Sequence, residues 1–204
     1  PPKLRSFPLL KEEVLNLFSF FIKLRPDNDY DLELIQKSID GDMDSFKQIV
    51  EKYQNKVARV TTSMLGRSYE AEDVGQEVFI RFHNSISKFK GDSNLGTYLV
   101  RIAINLCLNS IKKENKFKTS SLSNGNDLSL GGDEETKNDI ASLINHALCS
   151  LKPEFRSVVV LRNIEGYTTK ETAAILEIPQ GTVLSRLSRG HDKLREIIIK
   201  LEQI

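Results

Sequence analysis

The order of apolar and polar positions predicts helices along nearly the whole chain. Asp31 to Asp40 reads as a short helix, and Asp44 to Leu65 as a long one with Phe46, Ile49, Val50, Tyr53, Val57, Val60 and Met64 on its buried side. Gly66 ends that helix. A third runs from about Tyr69 to Ile86, capped by Ser68 and carrying acids in its first turn, where the helix dipole favours them. Lys88 to Asn94 makes a polar loop around Gly91. The fourth helix, from about Leu95 to Glu114, buries Leu95, Leu99, Ile102 and Leu106, with Ile104 and Leu108 beside them, and leaves Arg101, Asn105, Asn109, Lys112 and Lys113 near its exposed edge.

The periodicity then lapses. Thr119 to Glu135 is rich in serine, glycine, asparagine and acid, which predicts a flexible linker between two helical domains. Beyond it Ile140 to Leu151 forms one helix, and Pro153 opens another that continues through Val158, Val159, Leu161 and Ile164 to Gly166. Before the first domain, Pro8 to Arg25 places Leu10, Val14, Leu17, Phe18, Phe21 and Leu24 at helical spacing. Its phenylalanines Phe18, Phe20 and Phe21, with Phe7 just before it, need a partner. The expectation is an amphipathic helix that packs on its own chain and clamps the two domains together, with docking on a membrane surface as the alternative.

The last quarter carries the most specific pattern. Thr168 and Glu171 are spaced as a capping box, Ala173, Ala174, Ile175 and Leu176 supply a packing side, and Ile178-Pro179 stops the helix. In the next helix Val183, Leu187, Leu194 and Ile198 recur on one stripe, while Thr182, Ser185, Arg186, Ser188, Arg189 and Lys193 fall largely off it. This is a helix-turn-helix whose second helix suits the major groove of DNA. An ordinary solvated face would also hold Arg186, Arg189, Lys193 and Arg195. Against that, Gln180 to Arg189 holds two arginines and no carboxylate.

Composition adds bounds. The formal net charge of +1 over 204 residues announces no nucleic-acid binder, so the case rests on where the charge lies. From Tyr69 to Ile80 the charges are Glu70, Glu72, Asp73 and Glu77. From Arg81 to Lys118 eight lysines and arginines meet only Asp92 and Glu114. Two faces with opposite partners are implied. Cys107 and Cys149 each lie in an apolar helical pattern, as reduced core thiols of a cytoplasmic protein would. His146 and Cys149 lack further ligands nearby, so no metal or cofactor is expected. The carboxylates come without a histidine partner or phosphate loop, which argues against an enzyme. The apolar run near the start is too short to span a membrane and shows no secretory cleavage pattern.

Two ordered blocks resemble one family. The first is Ala71-Glu72-Asp73-Val74-Gly75-Gln76-Glu77-Val78-Phe79-Ile80-Arg81-Phe82 with Tyr98-Leu99-Val100-Arg101-Ile102-Ala103-Ile104-Asn105 and Leu108-Asn109. The second is Leu151-Lys152-Pro153, Val160-Leu161-Arg162, Glu165-Gly166-Tyr167, Glu171-Thr172-Ala173, Ile178-Pro179-Gln180-Gly181-Thr182-Val183 and Ser185-Arg186-Leu187. Together they resemble the sigma factors of the extracytoplasmic-function group, bacterial RNA polymerase subunits that recognise promoters. The resemblance implies an all-α chain with a region 2 domain at residues 31–118, a flexible linker at 119–138 and a region 4 domain at 139–204, preceded by the extension at 1–30. It implies core RNA polymerase, promoter DNA and an anti-sigma factor as partners, and no small-molecule substrate. By the same resemblance Glu72, Asp73, Gln76 and Glu77 bind core polymerase. Lys88, Lys90, Asp92, Ser93 and Asn94 capture a flipped base of the minus-ten element, and Arg101, Asn105, Asn109, Lys112 and Lys113 line the strand's path. Gln180, Thr182, Ser185, Arg186, Ser188 and Arg189 read the minus-thirty-five element.

The chain departs from the family pattern at five places. Tyr98 stands where tryptophan is usual, Asn109 where aspartate is common, Gly75 lies inside the polymerase-binding helix, Leu184 takes a frequently basic position, and Glu177 replaces the usual glycine of the turn. Arg101 has a second reading, a structural ion pair with an acid of a neighbouring helix. The alternative for the whole chain is a regulator that uses its helix-turn-helix without polymerase.

Overall fold

The structure, a computed structural model, describes residues 26–121 and 140–201. The amphipathic helix expected over Pro8 to Arg25 lies outside the described residues, as does nearly all of the linker. Eight α-helices are described: α1 (Pro26–Ile39), α2 (Met43–Leu65), α3 (Tyr69–Ser85), α4 (Leu95–Ser121), α5 (Ile140–Cys149), α6 (Pro153–Val159), α7 (Thr169–Leu176) and α8 (Gln180–Leu201). A 3-10 turn at Ile86–Lys88 closes α3, and a π turn at Val160–Ile164 prolongs α6. No strand occurs among the described residues.

Local chemistry explains the boundaries. Asp42 caps α2 by accepting from the amides of Asp44 (3.0 Å) and Ser45 (3.4 Å), and the Ser45 hydroxyl on its other oxygen holds this carboxyl below the usual carboxylate range. Ser68 caps α3 by accepting from the Ala71 amide at 3.2 Å. Helix α4 runs on to Ser121, past the expected end at Glu114, because residues 112–121 contain neither glycine nor proline. The first seven of those residues, 112–118, include four lysines and no helix breaker.

The N-terminal domain is a bundle of α1 to α4. Ile49, Val57, Val60 and Met64 of α2, Val78 and Phe82 of α3, and Leu95, Leu99, Val100 and Ile104 of α4 are fully buried at its centre. Burial of each such side chain contributes about 1.5–3 kcal/mol. Rings of Phe82, Phe89 and Tyr98 meet edge to face, with Phe89 and Tyr98 centred 5.1 Å apart, and so tie the loop after α3 to the core. Asp31 of α1 is buried and accepts from Lys52 at 2.8 Å and from the Tyr53 hydroxyl.

In the C-terminal domain α6 is the axis. Residues 156–161 are buried without a break, so this helix has neighbours on every side. Val158 and Val159 face α7 and α8, and Gly190 of α8 allows the crossing: a β-carbon there would lie 2.8 Å from Val159 Cγ2. Val160 and Leu161 face the other way. With Tyr167 and Ile175 they join the same apolar cluster as the N-terminal core, so the two domains are docked on one another rather than merely tethered.

Polar groups complete that junction. The buried Arg156 guanidinium donates to the carbonyls of Met64 at the end of α2 and of Cys149 and Leu151 in its own domain. Arg59 of α2 grips Glu165 with two bonds of 2.8 and 3.2 Å, and the Glu165 side chain is 1% exposed. That carboxylate raises the Arg59 pKa further above its ordinary value. Lys56 lies 5.2 Å over the Tyr167 ring.

Candidate nucleic-acid and partner surfaces

The first surface lies on α3. Glu72, Asp73 and Gln76 are exposed, and Glu77 is half-buried, accepting from Arg81 Nε at 2.7 Å. That pair is one helical turn apart and open to solvent, worth about 0.3–0.5 kcal/mol, so it leaves the acidic face largely unopposed. Between α2 and α3 runs a groove of about 390 Å³ walled by Val57, Ala58, Ala71 and Phe79 and edged by Glu72 and Gln76. Gly75 lines it. A β-carbon at that position would meet only Thr61 Oγ1, at an ordinary 3.8 Å, so packing within the chain does not require glycine.

The second surface joins the loop before α4 to the outer side of that helix. Lys88, Lys90, Asp92 and Asn94 are exposed and Ser93 is half-buried. Asn94 has a structural duty: its side-chain oxygen accepts from the Thr97 amide at 2.7 Å and caps α4. Along α4, Asn105, Asn109, Lys112 and Lys113 are exposed on one side, in register with the half-buried Arg101 one turn earlier. Sequence reasoning missed Arg81 and Asn84 as part of this surface. They line, with Tyr98, Ile102 and Asn105, a groove of about 380 Å³ between α3 and α4. Only the pairing of two helices brings them to Asn105.

Arg101 is engaged. Its guanidinium is ion-paired with Glu177, the first residue of the turn between α7 and α8, so the structural reading of this arginine holds in the docked arrangement. Glu177 has φ 55° and ψ 43°, the left-handed conformation in which helices commonly end on glycine. A β-carbon costs about 1–2 kcal/mol there. The pair, 43% and 71% exposed, returns about 0–1 kcal/mol.

The third surface is the helix-turn-helix. The capping box is formed: Thr168 N donates to Glu171 at 2.8 Å, and Glu171 N donates to Thr168 Oγ1 at 3.2 Å. Val183 is fully buried, and Gln180, Ser185, Ser188 and Arg189 are exposed; Thr182 and Arg186 are half-buried. The Ser185 hydroxyl donates to the Thr182 carbonyl at 3.1 Å. Arg186 and Arg189 have no carboxylate at ion-pair distance among the described residues, whereas Lys193 pairs with Glu196 and Arg195 with Asp192 farther along. The start of α8 is therefore its available cationic end. Cys107 is buried, its thiol pushed up to about 12 by desolvation. Cys149 departs from the expectation of a core thiol: it is only half-buried, its sulfur against Gly66 at the junction. No cluster of three metal-ligating side chains occurs among the described residues.

Comparison with known proteins accounts for this layout. Residues 49–117 match the family description Sigma-70 region 2, and residues 147–196 match Sigma-70, region 4. The ECF RNA polymerase sigma factor SigW of Bacillus subtilis is 33% identical over 168 residues, covering 76% of this chain and 90% of that protein. The chain belongs to the extracytoplasmic-function sigma factors. The ECF RNA polymerase sigma-E factor of Escherichia coli is 30% identical over 176 residues, covering 80% of this chain and 92% of the relative. Among solved structures, the sigma factor RpoE of Bartonella quintana, crystallised with the anti-sigma factor NepR, has the same fold (TM-score 0.61, 23% identity, 75% of this chain and 96% of that one). A sigma factor associates with RNA polymerase and directs promoter-specific transcription, and the reading as a regulator independent of polymerase is not favoured. The family is one of initiation factors, not of enzymes. No helix among the described residues is long and apolar enough to cross a membrane.

Proposed function

We propose that the three surfaces divide the work of this sigma factor. Glu72, Asp73, Gln76 and Glu77 bind the core polymerase, the acids meeting a basic partner helix and the neighbouring groove taking its apolar side chains. Lys88, Lys90, Asp92, Ser93 and Asn94 hold a base flipped out of the minus-ten element; the Asn94 oxygen is committed to its cap, so its amide group is the part left for the base. Flipping costs a few kcal/mol, recovered by bonds to the base and by phosphate neutralisation along Arg101, Asn105, Asn109, Lys112 and Lys113. Gln180, Thr182, Ser185, Arg186, Ser188 and Arg189 read the minus-thirty-five element as duplex. The domains extend over residues 31–118 and 139–204. The chain works in the cytoplasm, takes no small-molecule substrate and catalyses nothing itself. An anti-sigma factor restrains it, as the complexes of its structural neighbours with NepR and with the cytosolic domain of CnrY suggest.

The observation that carries this reading is the separation of charge, with exposed acids on α3 and exposed cations on α4 and at the start of α8. The test is binding of the purified chain to core RNA polymerase, followed by transcription from a promoter pool. Reversing Glu72, Asp73 and Glu77 to lysine is expected to abolish binding while the helical signal of the fold is kept. Undiminished binding would remove α3 from the polymerase contact.

A further inference from the structure

We propose that Leu184 is a specificity-determining residue of the helix-turn-helix, an apolar reader that recognises the 5-methyl group of a thymine in the minus-thirty-five element. The inference rests on the reading of α8 as the helix that enters the major groove. Leu184 is 55% exposed, more than any other large apolar side chain described in the C-terminal domain. Lone exposed leucines are common on protein surfaces, so the surroundings of this one decide what it does. On α8 the next exposed large apolar residue is Ile199, about 22 Å farther along the axis. No apolar stripe on the helix continues from Leu184 to receive a partner helix.

Its neighbours are short. Gly181 and Ser188 lie one turn before and one turn after it on the same side of α8, Ser185 follows it, and all three are exposed. A β-carbon at Gly181 would meet nothing within 4 Å, so packing within the chain does not call for glycine there, and glycine weakens a helix. Its effect is to lower the surface beside Leu184. Among the exposed residues of 180–189, Gln180, Ser185, Ser188 and Arg189 carry polar groups, and Leu184 is the one apolar side chain. The hydroxyl of Ser185 donates to the Thr182 carbonyl at 3.1 Å, so the residue beside Leu184 brings no free donor to the same base.

The chemistry of the groove then selects the partner. Base edges in the major groove present hydrogen-bond donors and acceptors, and the thymine methyl is the apolar group among them. A leucine set against donors or acceptors would strip water from them and return no bond. Cytosine has no such methyl. The pair that Leu184 accepts is therefore A·T, with the thymine on either strand, and its contact carries sequence information that a lysine on a phosphate would not.

The test uses the holoenzyme and a promoter that it selects from a pool randomised in the minus-thirty-five element. Each thymine of that element is replaced in turn by deoxyuridine, which removes the methyl and keeps the base pair. One replacement is expected to weaken binding by the wild type about fourfold, the worth of one methyl in an apolar contact. Leu184→Ala is expected to bind the thymine and deoxyuridine forms alike, whereas Leu184→Met, apolar and of similar length, should keep most of the difference. Leu184→Lys should lose it and steepen the salt slope by about 0.9. The proposal is overturned if the wild type tolerates every deoxyuridine, if Leu184→Ala shows the same loss as the wild type, or if the selected element contains only G·C pairs. Leu184→Ala should also bind core polymerase as the wild type does; weaker core binding would assign the leucine to polymerase and overturn its role on DNA. The underlying reading fails in a different way, by binding that is indifferent to every base-pair substitution in the element. Sensitivity to base pairs with indifference to deoxyuridine keeps α8 in the groove and removes Leu184 alone.

Discussion

On the proposed reading both domains show cations to DNA from a small helical body, and they do so with unequal means. The N-terminal domain owns its core: α2, α3 and α4 bury Ile49, Met64, Phe82, Leu95, Leu99 and Ile104 against one another, and its loop is pinned by aromatic rings. The C-terminal domain has two small apolar clusters, around Leu148, Leu151 and Val159 and around Val158, Ala173 and Val183, while Val160, Leu161, Tyr167 and Ile175 lean on the other domain. A bundle that closes on itself can offer a continuous stripe along α4. A helix-turn-helix with little core of its own gains stability from the surface it docks on.

The sharpest way to break the comparison is in the cores. Phe82→Ala should cost about 3–5 kcal/mol and unfold the whole chain cooperatively, whereas Leu151→Ala, costing about 2–3 kcal/mol, should loosen the C-terminal domain first. Urea titration followed by Phe82-domain and C-terminal probes would show one transition or two. Arg156→Ala comes next. It leaves the carbonyls of Met64, Cys149 and Leu151 without their donor, an expected loss of about 2–4 kcal/mol, read as a lower midpoint in chemical denaturation. Arg156 is buried, so unchanged stability would mean that its bonds at the junction and within its own domain add nothing. Thr168→Ala should remove about 1 kcal/mol from the C-terminal domain alone, since the capping box serves only α7.

Gly75→Ala sharpens the comparison from the other side. The added methyl has room and favours the helix by about 1 kcal/mol, so the melting temperature should rise while affinity for core polymerase falls. Higher stability with unchanged affinity would show that the groove floor is not used. The smallest effects concern single arginines: Arg186→Ala and Arg189→Ala should each reduce the salt slope of holoenzyme binding to promoter DNA by about 0.9 if each neutralises one phosphate.

Much of this was legible in the order of residues, because helix periodicity, caps and breakers are local. Asp42, Ser68 and the Thr168–Glu171 box act within one turn, and Gly66 and Pro179 stop helices by their own backbone limits. The exposed acids of α3 and the spacing of Asn105, Asn109 and Lys112 follow from a 3.6-residue period alone. The helix opened by Pro153 was legible too, but that Val158 to Leu161 are all buried came from the structure. Only the tertiary structure decided that half of the cover is the other domain, that Arg81 and Asn84 share a groove with Asn105, and that Arg101 reaches Glu177 across 76 positions of sequence. Those facts depend on which surfaces meet once the helices exist. Burial and charge complementarity between distant segments choose that meeting, and no local period encodes it.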